Sequence, residues 1–267
     1  MAALLSLILC LSCELPATTA ALEARTVPVD VELVLAVDIS RSMDTEEFAL
    51  QRAGYVMALR HPDFWNAVRS GHNGRIALTY FEWAGTVREE TIIHWQVIDS
   101  AQAAADFAAM LERRPFATFR RTSISGALAF ASNLFDANDF DGFRRVIDVS
   151  GDGPNNFGMP VLAARDAVIA DGITINGLPI LIRPSHTFAE LDRYYAECVT
   201  GGPGSFVLPI RAASEFSTAI RRKLILEVSG ISDAPVIPAQ ASAPVDCGIG
   251  ERDRRLLSDP FYPELDR

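Results

Sequence analysis

The sequence predicts an α/β fold: a doubly wound, mostly parallel six-stranded sheet with one antiparallel edge strand. Three observations predict it. From Val31 onward, apolar runs alternate with amphipathic stretches, the order expected of strands joined by helices. The first run, VELVLAVD, is continuously apolar after Glu32, as a central strand covered on both faces requires. Two further runs, 75–83 and 87–98, flank a short turn containing Gly85 and read as a hairpin, so one strand must run antiparallel to its neighbour.

The remaining elements follow in order. Phe48, Tyr55, Val56 and Leu59 share one helical face. A helix is expected over 101–113 and another over 123–135, with Ile124, Ala127, Leu128, Ala131 and Phe135 on one stripe. Residues 144–153 read as a strand ending in a loop, 161–170 as a helix, 173–180 as a strand and 188–198 as a helix. A short strand over 205–209 precedes a last helix whose inner face carries Phe216, Ile220 and Leu224. Beyond Gly230 the pattern stops and Pro, Ala and Ser dominate. The expected organisation is one domain over 31–230 and an extended tail over 231–267, without internal repeats.

Composition narrows the function. With 267 residues, 49% of them apolar, the chain has ample material for a core. A formal net charge of −10 argues against general affinity for nucleic acid, whose phosphates need a basic surface. The cations are nearly all arginine, and Lys223 is the only lysine.

The first residues carry an apolar run over 2–13 followed by small residues around 18–21. The run is shorter than the roughly 20 residues a bilayer demands. It fits a secretory signal peptide over 1–20, although no Lys or Arg precedes it. The expectation is an exported protein, periplasmic or extracellular, with no transmembrane helix in the mature chain. Cys13 is a candidate for a lipid anchor, but Cys10 stands three places before it, where lipoprotein signals carry an aliphatic residue. Cys198 and Cys247 remain in the mature chain; export favours one disulfide between them, with two unpaired thiols as the alternative.

Three loops carry the chemistry. VLAVDISRSM places Asp38, Ser40 and Ser42 just past the first strand, where ligands bind in open α/β sheets. FRRTSISGAL places Thr122 just before a helix, and VIDVSGDGPNN places Asp152 just past a strand. Two carboxylates and three hydroxyls suit a hard cation such as Mg²⁺ (or Mn²⁺ or Ca²⁺), with a position left open for an incoming acid. Each loop alone has a plainer reading. Asp38 and Ser40 fit a strand-end turn, Thr122 an N-cap, and Asp152 beside a glycine a tight turn. Their combination, in this order at strand ends, favours the metal. Asp148 is expected to be a buried, hydrogen-bonded carboxylate, and His61, His72, His94 and His186 lie outside the three loops. Asn155 and Asn156 fit either the rim of the site or a turn.

Asp-x-Ser-x-Ser after the first strand, Thr at a helix start and Asp-Gly after a later strand resemble the metal-ion-dependent adhesion site, or MIDAS, of von Willebrand factor A (vWA) domains. The resemblance covers roughly 31–228. GDGPNN and TGGPGSF are similar to a bacterial family of exported vWA-like proteins without an assigned function. The resemblance implies that Ser40, Ser42 and Thr122 hold the ion through hydroxyls, that Asp38 and Asp152 hold it through water or directly, and that the partner is a protein offering an acidic residue. It implies binding, not catalysis.

Rival readings stay in view. A haloacid-dehalogenase-like phosphohydrolase also has an apolar strand ending in Asp and a GDGxND-like loop. It needs a second acid where this chain has Ser40, and a lysine before the late loop, whereas Lys223 follows it. A serine hydrolase lacks its Gly-x-Ser-x-Gly elbow here. A structural or assembly protein with a vestigial metal site is the third.

Overall fold

The computed structural model describes residues 26–41, 43, 45–182, 190–230 and 244–252. The expected signal peptide over 1–20, Cys13, Ser42 and His186 fall outside the described residues.

Five strands form one sheet: β1 (Val27–Asp38), β2 (Ile76–Trp83), β3 (Val87–Ile98), β4 (Phe140–Gly151) and β5 (Thr174–Pro179), in the order β3-β2-β1-β4-β5. Strand β1 pairs in parallel with both β2 and β4, so Leu35 faces Tyr80 on one side and Asp148 on the other. The hairpin partner β3 runs antiparallel at the edge. The helices are α1 (Thr45–Arg60), α2 (Pro62–Arg69), α3 (Ala101–Glu112), α4 (Ile124–Asp136), α5 (Val161–Ala170), α6 (Leu191–Tyr194) and α7 (Phe216–Ser229). A π-helical turn, Tyr195–Val199, follows α6.

The strand period of two sorts β1 between two cores. Leu33, Leu35 and Val37 pack with Phe48, Tyr55 and Leu59 of α1, Phe107 of α3, and Phe216, Ile220 and Leu224 of α7. Val34 and Ala36 pack with Leu128 and Ala131 of α4, Val168 of α5, and Tyr194 and Tyr195. Both faces are therefore covered, which is why VELVLAVD carries no polar alternation. Each such buried large side chain contributes about 1.5–3 kcal/mol.

Two elements depart from the sequence reading. The strand expected over 205–209, the sixth, runs beside β5 as isolated parallel bridges, Gly177 to Val207 and Ile180 to Ile210. Gly177 donates to the Phe206 carbonyl and Leu208 to that of Gly177; Ile210 then donates to Pro179 and Leu181 to Ile210. The missing rung falls at Pro179, which has no N–H to give. The sheet consequently has five strands and a broken sixth. Helix α2 was not expected. His61 caps it, its Nδ1 accepting the Asp63 N–H at 3.2 Å, and Pro62 opens it.

The C-terminal segment also differs from an extended tail where it is described. Residues 249–252 form a helical turn, and Val245, Cys247 and Ile249 pack against the core on the α4–α5 side. Cys198 in the π-turn is disulfide-bonded to Cys247, with Cα atoms 5.4 Å apart. The bond ties the segment to the π-turn.

Candidate metal centre

Asp38 is the last residue of β1 and is fully buried. Its Oδ1 accepts the Ser40 N–H at 2.7 Å and its Oδ2 the Ser40 hydroxyl at 3.0 Å. The Asp152 backbone N–H also donates to this carboxylate. Burial lifts the Asp38 carboxyl well above the usual carboxylate range, the negative charge of Asp152 lifts it further, and the bonds from Ser40 and Asp152 pull the other way. The largest influences on this buried carboxyl are thus its desolvation and the second carboxylate that faces it.

The loop over 113–123 is laid against the end of β1. Ser40 forms a parallel bridge with Phe119; the Phe119 N–H donates to Ile39 and the Arg41 N–H to Phe119. The chain then turns through Arg121, whose φ of 72° lies in the left-handed region that non-glycine residues seldom adopt. This turn delivers Thr122 into a buried position, 4% exposed. The plainer reading of Thr122 as the helix cap does not hold. Ser123 caps α4, its hydroxyl accepting the Gly126 N–H at 3.2 Å.

The third loop, which carries Asp152, is knitted to the second by the two asparagines. Asn156 Oδ1 accepts the Thr122 N–H at 2.8 Å, and the Asn156 N–H donates to the Thr122 carbonyl. Asn155 Oδ1 accepts the Ser125 N–H at 3.0 Å, while Ser123 and Ser125 hydroxyls reach the Phe157 carbonyl. The asparagines are therefore fasteners between loops.

The structure thus brings the loops of Asp38 and Ser40, of Thr122, and of Asp152 to one end of the sheet. Ser42 lies outside the described residues. Sequence reasoning missed three contributors. Gly151 lets β4 pass Asp38, since a Cβ there would stand 2.9 Å from Asp38 Oδ2 and 2.7 Å from the Tyr195 hydroxyl. Tyr195 lies behind the site, and its fully buried hydroxyl has no hydrogen-bond partner among the described residues. Tyr194 accepts the Asn155 N–H at 3.1 Å. No local pattern marks the Tyr pair, because the π-turn that aims it has no sequence period of its own.

The donor chemistry fits a hard divalent cation: a buried Asp38 carboxylate faced by Asp152, with the hydroxyl-bearing Ser40 and Thr122 buried on the converging loops. No group of three or more His, Cys, Asp or Glu side chains gathers among the described residues, so thiolate, imidazole or all-carboxylate cages are not offered there.

A family model described as "Protein of unknown function (DUF1194)" matches residues 28–232. No curated protein matches the chain. Among solved structures, the chain is similar to proximal thread matrix protein 1 from the mussel byssus with a zinc-occupied MIDAS motif. Identity is 17%, TM-score 0.56, and the match covers 76% of this chain and 49% of the other. The pilus adhesin SpaC from Lactobacillus rhamnosus GG matches at 14% identity and TM-score 0.56, over 75% of this chain and 30% of the other. A von Willebrand factor type A protein from Catenulispora acidiphila matches at 16% identity and TM-score 0.52, over 75% and 43%. The chain spans half or less of each of these proteins. At such identities the likeness shows the fold, and that fold is the vWA type. Among the described residues, no helix is long and apolar enough to cross a membrane.

Proposed function

We propose, from the premise that this chain belongs to the DUF1194 family of proteins of unknown function, that it is an exported, MIDAS-type protein-binding module that captures an acidic group of a partner through Mg²⁺ or a similar ion. The observation that carries this reading is the buried Asp38 carboxylate, fastened by Ser40 and faced by Asp152, at the point where three loops converge. Ser40, Ser42 and Thr122 would hold the ion through hydroxyls, and Asp38 and Asp152 through water or directly. When bound, the ion supplies an electrophilic position for the partner's carboxylate. The two aspartates balance the ion's charge, and the asparagine fasteners keep the Thr122 and Asp152 loops in register.

The placement of Lys223 favours this reading over the phosphohydrolase. That enzyme needs a lysine to neutralise a phosphoryl group beside the first-strand Asp. The only lysine here is fully buried and committed to Asp148 and Glu227. The protein is accordingly read as binding without turnover.

Metal-dependent thermal stability tests the proposal. Mg²⁺ or Mn²⁺ at about 100 times its Kd stabilises a protein by about 2.7 kcal/mol through mass action. The melting temperature should rise with metal and fall back with chelator in the natural chain, and stay unchanged by metal in Asp152→Ala. A wild-type melting temperature indifferent to saturating Mg²⁺, Mn²⁺ and Ca²⁺ would end the metal reading.

A further inference from the structure

Helix α5 begins where the third loop ends, and its start is capped in an unusual way. Its own N-cap residue is Pro160, which has no side-chain hydrogen bond to offer. The Val161 N–H is satisfied instead by Glu251 Oε1 at 2.8 Å, from a residue 90 positions later in the chain. The same oxygen accepts Asn155 Nδ2 at 3.0 Å. Asn155 in turn holds Ser125 through its Oδ1 and Tyr194 through its backbone N–H. A carboxylate at a helix N-terminus gains from the dipole as well as from the exposed N–H groups.

The segment carrying Glu251 is fitted closely to the loop. A Cβ on Gly250 would stand 2.6 Å from the Asn155 carbonyl oxygen and 3.1 Å from Pro154, so glycine is required for the approach. The segment is anchored twice more, by the Cys198–Cys247 bond and by the Val245 N–H, which donates to Glu197 Oε2 at 3.0 Å. Pro154 and Asn155 lie two and three residues after Asp152.

We infer that Glu251 is a positioning residue of the metal site: by bridging Val161 and Asn155 it fixes the loop that aims Asp152, and the Cys198–Cys247 bond holds it there. The inference rests on the metal reading of the site. The asparagine transmits the restraint, since it joins Glu251 on one side to the α4 loop on the other. Loss of the carboxylate leaves the Val161 N–H without its side-chain acceptor and the Asn155 amide with the Met159 carbonyl (3.1 Å) in place of two acceptors, which loosens the loop. Removing partners that orient metal ligands lowers affinity by about 10-fold or more.

Mn²⁺ binding to the full chain, measured by titration calorimetry at a temperature where circular dichroism shows every variant folded, tests this. Glu251→Ala should bind Mn²⁺ about 10-fold more weakly, and Glu251→Gln, which keeps an acceptor oxygen for both donors, should bind much nearer to wild type. If Glu251→Ala does not fold, Cys247→Ser, which releases the anchor but keeps Glu251, is read by the same criterion. Wild-type affinity in the alanine variant, or in its stand-in, overturns the inference and leaves the metal site standing. A wild-type chain that takes up no Mn²⁺ overturns the metal reading itself, and the inference with it.

Discussion

Lys223 Nζ lies 2.6 Å from Asp148 Oδ1, and both side chains are shut off from solvent. Glu227, one turn further along α7, shares the same ammonium group and accepts Asn176 Nδ2 at 3.2 Å. The only lysine of the chain therefore serves two buried carboxylates, joining α7 to β4 and β5. Replacing Lys223 with Met leaves both carboxylates buried without a cation. The expected loss is about 3–5 kcal/mol in urea unfolding at pH 7.5, the range for stripping one partner from a buried pair. The loss should shrink at pH 5, where protonation relieves the uncompensated charge. An equal loss at both values would show that the charge is not the cause.

The same cluster gives stability a pH dependence. Burial first, and the negative charge of Asp148 second, push the Glu227 carboxyl up from 4.5 to about 7, against the pull of Lys223. The folded state thus holds a proton that the unfolded chain has released. Its contribution is complete below the unfolded pKa and is lost as pH rises through about 7. Glu227→Gln keeps the shape without the proton, so it should flatten the decline between pH 5 and 8. Parallel stability curves for variant and wild type would refute the assignment.

Gly151→Ala tests how tightly β4 passes the metal centre. The new methyl group would overlap both Asp38 Oδ2 and the Tyr195 hydroxyl. Overpacking of this kind costs about 1–3 kcal/mol. Metal-dependent stabilisation should be lost along with it, because the methyl displaces Asp38. A variant as stable and as metal-responsive as wild type would mean the contact is slack.

The disulfide closes a sequence separation of 49 residues. In the chain-entropy picture, a loop of that size is worth about 4 kcal/mol. The double variant Cys198→Ala and Cys247→Ala should unfold at lower urea concentration by an amount approaching that figure. No change in the midpoint would show the bond to be dispensable for stability.

Purified protein should not hydrolyse phosphate or acyl esters. The informative result is a turnover that disappears with Asp38→Asn, because it would make Asp38 a nucleophile and remove the binding-module reading.

The sequence carried the strands and helices where the pattern was long and periodic. VELVLAVD announced a strand covered on both faces, and Phe216, Ile220 and Leu224 announced the inner face of α7, because burial sets those periods directly. The loops bearing Asp38, Thr122 and Asp152 were also legible, since strand ends and turn residues fall at fixed places. Pairings set by tertiary geometry were not. The broken sixth strand depends on which rung of the ladder meets Pro179, and α2 is only eight residues long. Glu251 caps a helix 90 residues away from within a stretch of low periodicity, so nothing local distinguishes it. Lys223 stood out as a singleton, but its partners on β4 and one turn along α7 could be assigned only in three dimensions.

The place of β1 at the middle of the sheet has a consequence in time. Its partner on one side, β4, is made much later: the Gly142 N–H that donates to Glu32 Oε1 at 3.0 Å lies 110 residues downstream. Until β4 arrives, the most apolar strand of the chain has one open edge and faces without their later helices. Parallel, non-local pairing of this kind closes slowly, because the loop entropy is spent before the contacts repay it. The young chain therefore carries a sticky, half-paired strand from the making of β2 until that of β4, the condition under which chains associate with one another rather than with themselves.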